Sequence, residues 1–120
     1  MEYNEIFRER TNNLALAAIR LYGTLKHRDE TRIIGKQVLR SATSVAANFR
    51  AACRARSRAE YFSKICIVIE ECDETLFWFE LLQSSGLFNP DNFNSLVVET
   101  KKLLAVFAKT RKTLKLIVPG

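Results

Sequence analysis

A chain of 120 residues can build one hydrophobic core but not two, so a single domain is expected over 1–120. Apolar residues at 48% and charged residues at 27% exclude a disordered polar chain. The net charge of +6 favours acidic partners without naming one.

Two prolines and four glycines leave long uninterrupted stretches, which favours helices. The first predicted helix runs from about Asn4 to Leu25, with Phe7, Leu14, Ala18, Leu21 and Leu25 at the 3–4 spacing of one buried stripe. A polar run, Lys26 to Thr31, follows, and Asp29 or Thr31 can cap the next helix. Helix two is expected from about Arg32 to Cys53 on the stripe Ile34, Val38, Ala42, Val45, Phe49 and Cys53; small Ala46 and Ala52 let a neighbour approach closely. Gly35 has no explanation at this level.

Helix three has the clearest start. Ser57 and Glu60 fit a capping box, and Gly86 is placed as the glycine just past the last turn at Ser85. Its expected stripe is Phe62, Ile65, Ile69, Cys72, Leu76 and Phe79. Asn89-Pro90 opens helix four as cap and first residue, and Phe93, Leu96, Val97, Leu103, Leu104, Phe107 and Leu114 carry it to about Ile117. Short connections between long helices predict an all-α, antiparallel up-down-up-down four-helix bundle.

No stretch approaches the roughly 18 apolar residues of a membrane span, and the N-terminus lacks a signal-peptide layout. Cys53, Cys66 and Cys72 form no Cys-x-x-Cys pair and have only His27 to join them, so free thiols in a reducing cytosol are expected instead of a metal site. A cytoplasmic protein without cofactor or small-molecule substrate is the expectation. Ser41, Thr43, Ser44 and Asn48 lack a nearby base and are expected to bond back to helix carbonyls.

Charge is segmented. Residues 1–58 carry twelve Lys/Arg against five Asp/Glu, residues 59–88 one against six, and residues 89–120 six against two. Arg50, Arg54, Arg56 and Arg58 crowd the junction of helices two and three, where guanidinium forks match phosphate oxygens. Lys101, Lys102, Lys109 and Lys112 head a second basic set on helix four. Two readings stay open: these residues bind RNA or DNA phosphates, or they pair with helix-three acids and keep the chain soluble. Glu60, Glu71 and Glu74 read as ion-pairing or solvated groups, since no Glu-x-x-His accompanies them and catalysis lacks a motif. At about 100° per residue, Ile67, Trp78 and Leu81 point roughly 150–170° from the expected stripe, with Phe77 on a flank. Such a second apolar face predicts self-association.

Gln37 to Asn48, Arg56 to Phe62, Glu70 to Leu76 and Trp78 to Leu82 together resemble the small proteins encoded in intervening sequences of bacterial large-subunit rRNA genes. The resemblance implies a four-helix bundle, a ring-like pentamer and no known enzymatic activity. The similar accessory proteins of diversity-generating retroelements tilt the expectation towards nucleic acid. The chain departs from the family after Asn48, where Phe49-Arg50-Ala51-Ala52 replaces Ile-Ala-Glu-Gly. A protein-interaction scaffold that never touches nucleic acid is the alternative.

Overall fold

The computed structural model describes residues 2–25, 28–86 and 93–116. Four helices follow one another: α1 Glu2–Thr24, α2 Asp29–Cys53, α3 Arg58–Ser85 and α4 Phe93–Lys115. Among the described residues there is no strand. α1 packs on α2, α2 on α3 and α3 on α4, while α1 and α4 close the bundle with a lighter seam. This is the antiparallel four-helix bundle the periodicity predicts.

The core is continuous along the axis and includes Leu14, Ala18, Val38, Phe49, Ile65, Phe79, Val97 and Phe107. Burying such side chains contributes about 1.5–3 kcal/mol each relative to exposure. The α1 and α4 stripes hold, although Phe7, Leu96, Leu104 and Leu114 are only partly buried. In α2, Ile34 and Cys53 are likewise peripheral, and Ser41, Ala46 and Ala52 are buried in their place.

The buried face of α3 differs from the expected one. Val68, Thr75 and Leu82 join Ile65, Ile69, Cys72 and Phe79, whereas Phe62 and Leu76 are half-buried. That turns the face by roughly 50° towards α2, at about 100° per residue. Burial of Thr75 is what hydropathy alone misses. Its hydroxyl lies 2.8 Å from the Glu71 carbonyl and 2.9 Å from Ser41 Oγ, so its polarity is satisfied inside the bundle.

The same device recurs at every buried hydroxyl. Thr11, Thr31, Ser41 and Thr100 each donate to a carbonyl three or four residues back, at 2.7–3.0 Å. Thr43 and Asn48 do likewise with the carbonyls of Leu39 and Ser44, as expected for that polar group. Among the described residues no buried side-chain oxygen or nitrogen lacks a partner.

Helix ends meet the expectations unevenly. Ser57 Oγ accepts the Glu60 amide at 3.1 Å, and Gly86 takes the left-handed conformation at φ 70°, both as read. α2 starts at Asp29, earlier than Arg32. Extended Arg28 occupies the cap position and makes no side-chain capping bond, so neither Asp29 nor Thr31 acts as the cap: Thr31 is buried in the helix and donates to the Arg28 carbonyl, and Asp29 and Glu30 fall in the first turn, where the helix dipole favours acids. Asn89-Pro90, His27 and Ile117 lie outside the described residues. Gly35 now has a reason. A Cβ there would strike Leu25 Cδ1 and come within 3.1 Å of Tyr22 Cδ1, so the bare backbone is what lets the end of α1 close on α2.

Candidate nucleic-acid interface

Alternating helix directions bring the start of α1, the α2–α3 junction and the end of α4 to one pole of the bundle. The junction is short and well bonded. The amides of Arg54 and Ala55 donate to the carbonyls of Ala51 and Ala52 at 3.1 and 3.0 Å, and Tyr61 N donates to Ser57 O at 3.0 Å. Four residues, Arg54 to Ser57, therefore reverse the chain in a fixed geometry.

This pole carries the chain's excess charge. Residues 2–8, 50–61 and 109–115 hold nine Lys/Arg and three Asp/Glu, a net +6 equal to that of the whole protein. The rest of the molecule is thus neutral overall. Arg50, Arg54, Arg56 and Arg58 are all exposed, and among the described residues none enters an ion pair. Arg50 and Arg54 sit at the C-terminal end of α2, where the helix dipole welcomes cations. Arg58 is the first residue of α3, where the dipole opposes a cation, so helix stability does not account for it.

The second basic set divides. Lys109 and Lys112 stand at the pole, whereas exposed Lys101 and Lys102 lie about 12 Å further along α4 at roughly 1.5 Å per residue. They belong to the flank and not to the polar cluster. Arg8, unremarked in the sequence, joins it: its charge partly offsets the burial that pushes the Cys53 thiol up.

Beneath the basic rim is a groove of about 860 Å³. Arg56, Arg58 and Lys109 line it together with Tyr3, Asn4, Ala52, Cys53, Tyr61, Val106, Thr113 and Leu114. Its floor continues into an aromatic cluster, with Tyr3 4.7 Å from Phe7, Phe7 5.8 Å from Phe107, and Phe49 5.2 Å from Phe107. Thr110 donates to the Val106 carbonyl, so the Tyr3 hydroxyl donates to Thr110 Oγ1, at 2.6 Å. Burial pushes both phenols up, Tyr61 to about 12. Sequence reasoning missed both tyrosines because each falls at a helix start, where no stripe is long enough to place it.

Two acids of α3, Glu71 and Glu74, are engaged elsewhere. Arg40 of α2 bonds Glu71 at 3.1 Å and also Glu74, and Glu74 in turn accepts from Trp78 Nε1 at 3.1 Å. These carboxylates pair with a neighbouring helix, but with Arg40 and not with the junction arginines. On the α1–α4 seam Arg10 grips Glu99 through two bonds of 2.9 and 2.8 Å. Among the described residues no three His, Cys, Asp or Glu gather where they could hold a metal ion. No described helix is long and apolar enough to cross a membrane.

The second apolar face is narrower than expected. Because the core face of α3 turns towards α2, Ile67 and Trp78 are drawn to its flank and half-buried. Phe77 at 52% and Leu81 at 39% exposure remain outward, with the Phe77 ring 4.9 Å from that of Trp78.

Fold and surface together define a small antiparallel helical bundle with one basic pole. The match of residues 4–109 to the family of 23S rRNA-intervening sequence proteins makes it specific: the chain belongs to that family. It is also similar to a solved protein of unknown function from the S23 ribosomal protein family of Bacteroides thetaiotaomicron, at 28% identity and a TM-score of 0.81. That likeness covers 91% of this chain and 97% of the other. No curated protein matches the sequence.

Proposed function

We propose that the protein is a non-catalytic homo-oligomer that binds RNA or DNA weakly and without sequence preference through its basic pole. The observation that carries this reading is the convergence of Arg50, Arg54, Arg56, Arg58 and Lys109 at one end, without an ion-pair partner among the described residues, on a pole whose net charge of +6 equals that of the whole chain. Exposed guanidinium groups there contact phosphates, which position a strand without reading its bases. Lys112 extends the surface, and Lys101 and Lys102 act only on a strand long enough to reach them. Family membership in a group named for rRNA intervening sequences agrees with a nucleic-acid partner.

Self-association follows from Phe77 and Leu81, flanked by Ile67 and Trp78; five copies is the ring the family resemblance implies. In such a ring the poles repeat and their fields add. A cytoplasmic location fits these partners. The test is binding of fluorescent RNA and DNA to the wild type and to a variant with Arg54→Glu and Arg56→Glu, with molar mass measured by light scattering. Loss of binding in the variant supports the reading. Equal binding by both would place the contact away from the junction arginines, no binding by either would favour a scaffold that docks protein through the Phe77–Leu81 face, and a 13.8 kDa monomer at micromolar concentration would remove the assembly.

A further inference from the structure

The polar groove has a composition that phosphate binding alone does not require. A flat basic surface suffices to hold a backbone. Here Arg56, Arg58 and Lys109 instead rim a concavity whose volume falls within the roughly 300–1,000 Å³ of small-molecule sites. Inside, Cys53, Val106 and Leu114 are apolar, and Tyr61 contributes a half-buried aromatic side chain. Among the described residues the side chains of Asn4, Tyr61 and Thr113 line it without a hydrogen-bond partner. A heterocycle with its own donors and acceptors would meet them.

We propose that this groove takes one unstacked nucleotide, its base against Tyr61 and its phosphate held by Arg56, Arg58 and Lys109. Base–aromatic stacking tolerates any base, so the site adds a preference for unpaired over paired strands and no sequence code. Where the nucleotide belongs to a strand, the inference rests on the nucleic-acid reading above; as a free nucleoside phosphate it stands without it. A duplex keeps its bases stacked and reaches only the rim.

Cys53 supplies a local reporter. In a Cys66→Ser background, alkylation of Cys53 is followed in mildly alkaline buffer with adenosine 5′-monophosphate, with a short 5′-phosphorylated single strand, and with a blunt duplex. Cys72 is buried and stays silent. The nucleotide and the single strand should slow labelling about tenfold at saturation, and the duplex should not. Tyr61→Leu, which removes the ring but keeps an apolar side chain, should weaken single-strand binding about tenfold and leave duplex binding within twofold, given a stacking contribution of about 1–3 kcal/mol per base. Protection by the mononucleotide alone, with no strand bound, would sustain the site and refute the strand reading. Strand binding that leaves Cys53 unprotected and ignores Tyr61→Leu would overturn the site while the basic pole stood. Equal weakening of single strand and duplex by Tyr61→Leu would also overturn it.

Discussion

Replacing Phe49 by alanine is the sharpest test of the packing at the basic pole. The ring is fully buried, lies 5.2 Å from Phe107 and 6.4 Å from Tyr3, and reaches from α2 against α1 and α4. Truncating a buried phenylalanine costs about 3–5 kcal/mol, the upper half applying where a rigid aromatic neighbourhood resists collapse. A chain of this length has a total stability of roughly 6–18 kcal/mol, so Phe49→Ala removes a large share but leaves a folded protein. With a urea slope of about 1.5 kcal/mol per molar, the midpoint should fall by about 2–3 M. Phe77→Ala is the control: half-exposed, it should change monomer stability by no more than about 0.5 kcal/mol, and any larger loss should depend on protein concentration. The assay is urea unfolding followed by circular dichroism at two concentrations. A loss below about 1 kcal/mol at Phe49 would show that the ring does not anchor the pole.

Three further outcomes are expected. Gly86→Ala should cost about 1 kcal/mol by thermal unfolding, since the left-handed φ of 70° opposes any Cβ although no atom stands within 4 Å of one; an unchanged melting temperature would contradict that cap. The Trp78 indole N–H, with Arg40, holds the Glu74 carboxyl below its ordinary 4.5. A depressed folded pKa stabilises above the unfolded value and is lost as pH falls through the folded one, so urea midpoints should drop on acidification below about pH 4.5, more shallowly in Trp78→Phe. Burial raises the Cys72 thiol to about 12, so in native protein it should react with thiol reagents only at the unfolding rate, after half-buried Cys66; equal rates for all three thiols would contradict the packing of α3 on α4.

The bundle was legible because α1, α2 and α4 each keep a regular stripe, and because Ser57, Glu60 and Gly86 are strong local signals. The orientation of α3 was not. Its apolar residues surround the helix, and its buried face takes in Thr75, whose hydroxyl is satisfied by its own helix at the Glu71 carbonyl and lies 2.9 Å from Ser41 Oγ of α2, a juxtaposition no one-dimensional pattern encodes. That misjudged face is why Ile67 and Trp78 read as outward. Gly35 was opaque for a similar reason, since its role depends on Leu25 and Tyr22 of another helix. The junction arginines were visible as a cluster, but their union with Lys109, Tyr3 and Tyr61 needed the closure of α1 and α4 around the pole.

The central claim, that the basic pole binds nucleic-acid phosphates, is tested most directly by the salt dependence of single-strand affinity. Four junction arginines neutralising about four phosphates predict a slope of log K against log salt near −3, or about a fifty-fold loss between about 50 and 200 mM. The slope should flatten in the Arg54→Glu, Arg56→Glu variant. A wild type that binds no strand at about 50 mM salt, or whose binding ignores salt, would contradict the account.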